Sequence, residues 1–260
     1  VAGEGSERLE EVRGWIRDAR RIVVLTGAGI STESGIQDFR GPNGLWTKNP
    51  EAEKASNISY YLSDPEVRKA SWRHRVETFG DQKHPNAGHL ALVDLERSGR
   101  LDTLLTQNVD GLHHAAGSDP ARIVEVHGTV REVSCLDCGE RAPIERALDR
   151  VRAGEEDPPC RSCGGILKTA TISFGQSLVS NDLLRADSAA RSCDLLLALG
   201  TTLGVYPIAE VVPLAKAHGA RVVIVNAERT EMDDLADAVI RGPLGEVLPA
   251  LVAGLEPVAP

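Results

Sequence analysis

The stretch from Ile22 to Arg40, IVVLTGAGISTESGIQDFR, decides the fold. Ile22, Val23, Val24 and Leu25 form an unbroken apolar run, the pattern of a strand buried on both faces in a parallel sheet. The run empties into Thr26-Gly27-Ala28-Gly29. Two glycines there let backbone N–H groups approach an anion, and Ser31-Thr32-Glu33-Ser34 opens a helix whose N-terminal dipole faces the same point. Thr32 stands where a dinucleotide fingerprint has its third glycine, so spacing alone fits a plain strand-to-helix turn as well as a phosphate turn.

Outward from this turn the pattern repeats. Apolar runs at Leu104-Leu105, Leu195 to Leu199 and Val222 to Val225 each end in polar or glycine-rich residues. Helical spacing occupies Ala87 to Ser98, Asn181 to Arg191 and Ile208 to His218, and Leu9, Val12, Ile16 and Ala19 mark an amphipathic helix before the first strand. This alternation predicts an α/β fold, a Rossmann-like doubly wound parallel sheet. Two segments break the rhythm: about 41–83, polar and irregular with a helix after Asp64-Pro65, and about 129–171, which carries paired cysteines. The end of the chain from Leu255 is expected to fray.

With 260 residues the chain holds one large domain and a small module, and with nine aromatic residues its core must be aliphatic. A net charge of −9, without a basic arm, argues against direct nucleic-acid binding. No apolar run approaches the roughly 20 residues that cross a bilayer, and the opening VAGEGSERLEEVRG is unlike a signal peptide, so a cytoplasmic protein with no membrane partner is expected. In that compartment five cysteines point to metal or catalysis before disulfides.

Cys135-Leu-Asp-Cys138 and Cys160-Arg-Ser-Cys163 are two Cys-X2-Cys pairs, each able to direct two sulfurs at one ion. Four thiolates close a tetrahedral Zn2+ site and leave no open position, so the zinc is expected to be structural. Cys193 lies outside this set and reads as a small core residue.

Polar residues gather after the apolar runs. Thr106-Gln107-Asn108-Val109-Asp110 follows Leu104-Leu105, at the strand end where open α/β sheets bind ligands. An amide pair and a carboxylate there suit a carboxamide and a sugar. Glu125-Val126-His127-Gly128 follows a further short strand, and a histidine of near-neutral pKa can take a hydroxyl proton, although a single histidine after a strand also suits a structural role. His113 and His114 read as surface residues of a turn. Gly200-Thr201-Thr202 suits phosphate, and Asn226 or Glu228 suits ribose hydroxyls.

Taken together, GAGISTESGIQDFRGPNGLW, TQNVDGLHHAAGS, VEVHGTV, the paired Cys-X2-Cys elements, ISFGQSL, LGTTLGVYP and IVNAE resemble the sirtuins, NAD-dependent protein lysine deacylases, of bacterial type. The likeness covers nearly the whole chain in family order. It implies a Rossmann-like NAD domain (1–40 with 84–128 and 172–260) and a small domain made of a helical insertion (41–83) and a zinc ribbon (129–171), with the substrate cleft between them.

The resemblance also implies roles. Gly27, Ala28 and Gly29, with Asp38, Phe39 and Arg40, belong to an NAD-binding loop that closes over the cofactor. Gln107, Asn108 and Asp110 surround nicotinamide and its ribose, and His127 is the general base. Gly200, Thr201, Thr202, Asn226 and Glu228 hold the diphosphate and adenosine half. Ile172, Phe174 and Gly175 on one side, and Gly204, Val205 and Tyr206 on the other, resemble the edges between which an acyl-lysine protein substrate lies as an added strand. The products would be nicotinamide, O-acyl-ADP-ribose and free lysine. Mono-ADP-ribosyl transfer would use the same NAD residues, whereas a zinc-ribbon adaptor would need none of Asn108, Asp110 and His127.

The chain departs from the family pattern in two places. The proline usual after the ribbon and the glutamate usual after Phe-Gly are missing, and Gln176 stands at the latter position. Relatives that prefer acidic acyl groups carry Tyr-X2-Arg in the helical insertion; Trp72 and Arg75 occupy the corresponding spacing here, without the tyrosine.

Overall fold

The computed structural model describes residues 2–38, 44, 48, 56–79 and 83–258. In chain order the strands are β1 (Ile22–Thr26), β2 (Leu101–Thr106), β3 (Ile123–Glu125), β4 (Gly128–Cys135), β5 (Arg141–Pro143), β6 (Leu167–Thr171), β7 (Leu195–Leu199), β8 (Arg221–Val225) and β9 (Ala238–Ile240). The α-helices are α1 (Ala2–Asp18), α2 (Ile58–Ser63), α3 (Pro65–Phe79), α4 (Ala87–Arg97), α5 (Leu112–Ala116), α6 (Glu145–Arg152), α7 (Ser180–Ser192), α8 (Val211–Ala217) and α9 (Leu244–Val252).

Six strands form a parallel sheet in the order β3-β2-β1-β7-β8-β9. The chain builds outward from β1 to β3, then returns to the other side of β1 with β7, so the topological switch lies between β1 and β7. Ligands of doubly wound sheets bind beyond the carboxyl ends of the strands at such a switch. Register aligns those ends. Thr26 pairs with Thr106 on one side and Leu199 on the other, and Leu199 pairs with Val225. Residues following four different strands therefore emerge along one edge.

Each central strand buries both faces, which is why its residues are continuously apolar. Ile22 and Val24 face a core shared with Val12 and Ile16 of α1, Leu92 and Leu95 of α4, and Leu248 of α9. Val23 and Leu25 face a second core with Ala186 and Ala190 of α7 and Val212 and Ala215 of α8. Cys193 is a member of the second core, as its setting in the sequence suggested.

The two interruptions share a separate core. Strands β5-β4-β6 form an antiparallel sheet, and Trp72 of α3 packs with Val133 and Cys135 of β4, Ile144 and Leu148 around α6, Cys160, and Leu167 of β6. Tyr61 of α2 ties the insertion to the same sheet by donating to the Leu167 carbonyl at 2.8 Å.

Several expectations needed revision. The helix expected from Ser31 is a 3-10 segment, Ala28–Ser34, beginning directly after Gly27. The Ile208 to His218 helix divides into a 3-10 turn, Ile208–Glu210, and α8. The chain end does not fray over its described part. Arg100, only 8 % exposed, donates to the carbonyls of Arg17, Ser98 and Glu256, and Val258 N bonds Ser98 O at 2.9 Å. A buried guanidinium needs acceptors, and the terminal backbone supplies one of them. No helix among the described residues is long and apolar enough to cross a membrane.

Candidate active site

Three glycines bring the β1 and β7 turns together. A side chain at Gly27 or Gly29 would meet the Gly200 backbone at 2.7 Å, and one at Gly200, which has φ 62°, would meet Ile30 N at 2.6 Å. The N–H groups of Gly27 and Gly29 are spent within this junction, on Leu199 O and Gly200 O. The glycines thus act here by close packing, and neither of these two N–H groups is left over for an anion. Asp38 is half-buried beyond the 3-10 segment, while Phe39 and Arg40 lie outside the described residues.

The β2 end carries the densest polar network. Asn108, 9 % exposed, donates through Nδ2 to Gly27 O and to Ser31 Oγ, each at 3.1 Å. Ser31 Oγ donates to Asp110 Oδ2 at 2.7 Å, and Asp110 Oδ1 accepts from Leu112 N at 2.9 Å. Ser31 was not singled out in the sequence; buried in the 3-10 segment, it joins the β1 turn to both polar residues of the β2 loop. Gln107 reaches the other way, from Nε2 to Thr201 Oγ1 at 2.9 Å. Beneath this layer the hydroxyls of Thr26 and Thr106 bond at 2.8 Å, and His113 Nε2 stands 3.0 Å from Thr26 Oγ1. His113 is therefore not a surface residue: it is 2 % exposed, because α5 turns its first half inward.

His127 follows β3, with Nδ1 3.1 Å from the carbonyl oxygen of Gln107. A carbonyl only accepts, so the neutral imidazole carries its proton on Nδ1 and leaves Nε2 as the basic nitrogen. Burial holds its pKa below that of a free histidine, partly opposed by the Gln107 contact. On the other side, His127 O accepts from Ile172 N at 2.8 Å, and Gly128 pairs with Thr171. The histidine is thus clamped between the β2 loop and the end of β6.

At the far side of the sheet Asn226 Nδ2 bonds Glu228 O at 2.8 Å, and Arg241 donates to the carbonyls of Asn226 and Glu228. Arg241, held in turn by Asp233, fixes the shape of this loop and was not anticipated. Thr202 and the Glu228 side chain stay exposed beside it.

Phe174 pairs both its backbone groups with the insertion, Phe174 N to Ser56 O and Ile58 N to Phe174 O. Gly175, at φ 85°, turns the chain away from this pairing, and its backbone makes no hydrogen bond among the described residues. Gln176 holds this turn by accepting from Ser173 N at 2.8 Å. Gly204 and Val205 are half-buried beside exposed Tyr206. Trp72, 2 % exposed, belongs to the small core, and the buried Arg75 Nε has no partner among the described residues.

The four ribbon sulfurs lie within 4.8 Å of one another, with Cys135 to Cys163 at 3.5 Å and Cys138 to Cys160 at 3.8 Å. A tetrahedral zinc with bonds of about 2.3 Å separates its sulfurs by about 3.8 Å, so the cluster fits Zn2+.

Comparison with known proteins places this geometry. The Sir2 family model matches residues 27–207. The chain is 50 % identical over 234 residues to a Streptomyces coelicolor protein named NAD-dependent protein deacetylase 2, covering 90 % of this chain and 97 % of that one. A solved Sir2 enzyme superposes with TM-score 0.84 at 38 % identity, covering 95 % of this chain and 97 % of the other. A second, bound to a deacetylated p53 peptide and 3'-O-acetyl-ADP-ribose, does so with TM-score 0.84 at 32 % identity, covering 94 % and 96 %.

Proposed function

The chain belongs to the Sir2 family and is an NAD-dependent protein deacylase, and we propose that its reaction is run by the residues gathered at the ends of β1, β2, β3 and β7. NAD is consumed as a substrate, supplying the ribose carbon that takes the acyl oxygen as nicotinamide leaves. Asn108 and Asp110, braced by Ser31, face the nicotinamide and its ribose. His127 Nε2 takes the proton of a ribose hydroxyl, so that a ribose oxygen can attack the acyl carbon; water then frees the lysine. Gln107 holds His127 through its carbonyl and Thr201 through its amide, coupling the base to the phosphate side.

Gly27, Ala28, Gly29, Gly200, Thr201, Thr202, Asn226 and Glu228 line the remaining nucleotide path, and Asp38 belongs to the loop that serves the cofactor. The substrate strand runs along Gly175 and Ile172 on one side and Gly204 and Val205 on the other, between the NAD domain (1–40, 84–128, 172–260) and the small domain (41–83, 129–171). The zinc is structural. The acidic surface and the reduced ribbon thiols favour a cytoplasmic enzyme acting on acyl-lysine proteins without direct nucleic-acid contact.

The observation that carries this reading is the Gln107 carbonyl on His127 Nδ1, which leaves Nε2 as the base. The test is to incubate the protein with NAD and acetyl-lysine peptides and follow products by mass spectrometry. Nicotinamide, O-acetyl-ADP-ribose and free lysine are expected in equal amounts, and ADP-ribosylated protein in their place would overturn the assignment.

A further inference from the structure

Beneath the proposed catalytic loop lies a pair of histidines that the reaction does not touch. His89 of α4 is 0 % and His113 of α5 is 2 % exposed, and their ring centroids stand 5.0 Å apart. His89 Nε2 and His113 Nδ1 are both buried, and neither has a partner among the described residues.

Donor and acceptor accounting assigns the tautomers. Asn86 Oδ1, which accepts from Gly88 N and His89 N, also stands 3.1 Å from His89 Nδ1, closer than the 3.4 Å between that nitrogen and Asn86 N. An amide oxygen only accepts, so His89 Nδ1 carries the proton and Nε2 is left as an acceptor. At the other ring, Thr26 Oγ1 gives its proton to Thr106 Oγ1, so it receives one from His113 Nε2, and His113 Nδ1 is left as an acceptor. The two orphaned atoms are thus both acceptors, and no hydrogen bond joins the two rings. Thr106 Oγ1 in turn accepts from Asn108 N at 3.1 Å.

We propose that His113 is a positioning residue, the head of a buried hydrogen-bond relay through Thr26 and Thr106 that holds the backbone of Asn108. His113 donates to Thr26 and Thr26 to Thr106, whose hydroxyl oxygen also accepts from Asn108 N, and bonds in such a chain polarise one another. His89, packed against the His113 ring, is tied through Asn86 to the nucleotide loop, since Asn86 Nδ2 donates to Ile30 O and to Ser34 Oγ. Burial keeps both rings neutral near pH 7, with His113 pushed down to about 3. The inference rests on the proposed role of Asn108 and Asp110 at nicotinamide.

Two variants beside wild type test it: His113→Phe, which keeps the ring volume and removes the donor, and His113→Gln, which keeps a donor. We expect His113→Phe to lower kcat for deacetylation roughly tenfold, the size of a lost buried hydrogen bond. Affinity for ADP-ribose, which has no nicotinamide, should stay near that of wild type, and His113→Gln should recover most of the rate. Nitrogen-15 spectra of wild type should show both rings neutral, with His113 protonated on Nε2. A merely structural histidine would move stability and ADP-ribose affinity together and would not be rescued by Gln. Equal rates in Phe and Gln variants, or a proton on His113 Nδ1, would overturn the relay. If wild type itself released no nicotinamide from NAD and acetyl-peptide, the deacylase reading would fail instead.

Discussion

The Nδ1 atom of His127 stands 3.1 Å from the carbonyl oxygen of Gln107, a residue whose amide reaches the opposite strand end at Thr201. One residue thus sets the tautomer of the base and its position relative to the phosphate side. Because the base acts in its neutral form and burial lowers its pKa, activity should survive into mildly acid solution. The acid limb of kcat/KM against pH is expected to have its midpoint below about 6.5, the value of a free imidazole. His127→Ala should reduce turnover by about 10²- to 10⁴-fold while NAD still binds. A midpoint well above neutrality, or wild-type turnover in the variant, would remove His127 from the role of base.

Gly128 links that base to the small domain. Its φ of 76° is a region that favours glycine, and a side chain there would fall on the Ala170 carbonyl oxygen of β6. Gly128→Ala is expected to cost about 3 kcal/mol or more, combining backbone strain and overpacking. Gly139, at φ 75° with nothing within 4 Å, supplies the comparison, and Gly139→Ala should cost only about 1–2 kcal/mol. Urea unfolding of the two variants checks the difference, and equal costs would mean that the β6 contact does not constrain this position.

Zinc should matter to a reaction it does not enter. Cys135 and Cys160 are core residues beside Trp72, and β6 of the same sheet ends on the backbone of His127. Cys138→Ser is expected to abolish bound zinc, change Trp72 fluorescence and stop deacetylation, with the main parallel sheet still folded by circular dichroism. A metal-free variant with full activity would show that the ribbon does not hold the catalytic loop.

What the sequence made legible followed from chemistry that repeats. Buried strands read as apolar runs, and each polar group at a strand end was visible because it broke such a run; register then brought those ends to one edge. Two Cys-X2-Cys pairs carry their own geometry. Ser31, Arg241 and His113 were missed or misread because their roles depend on partners 79, 15 and 87 positions away. A hydroxyl in a polar turn has no periodic signature, and two adjacent histidines in a five-residue helix give no sign of which one faces inward. The same limit applied to the end of the chain, where the partner of the tail is Arg100.

Burial of His113 has a consequence for stability. In the folded chain its pKa is pushed from 6.5 down to about 3, so between those values the unfolded chain binds a proton that the native state does not. Stability is full above pH 6.5 and falls on acidification, by about 1.4 kcal/mol per pH unit from this residue alone. His89, also depressed by burial, adds in the same direction. Urea midpoints measured between pH 7 and pH 5, above the range where most carboxylates titrate, should fall less steeply for His113→Gln than for wild type. Parallel slopes would mean that the ring takes up protons in the native state.

Arg75 is the residue on which a preference for acidic acyl groups would turn. Its Nε is buried without a partner among the described residues, and its charge is felt by Tyr61 and by buried Lys168, whose own pKa burial lowers to about 8. Trp72, at the position expected to assist it, is closed within the small core. A guanidinium with these neighbours is expected not to grip the carboxylate of a succinyl group. Wild type should therefore prefer acetyl- to succinyl-lysine peptides, and Arg75→Met should leave that ratio unchanged. Since methionine keeps the packing of the stem and removes an unsatisfied donor, the variant should also melt no lower than wild type. Loss of a measurable succinyl activity in Arg75→Met, with acetyl activity intact, would show instead that the side chain reaches the acyl pocket.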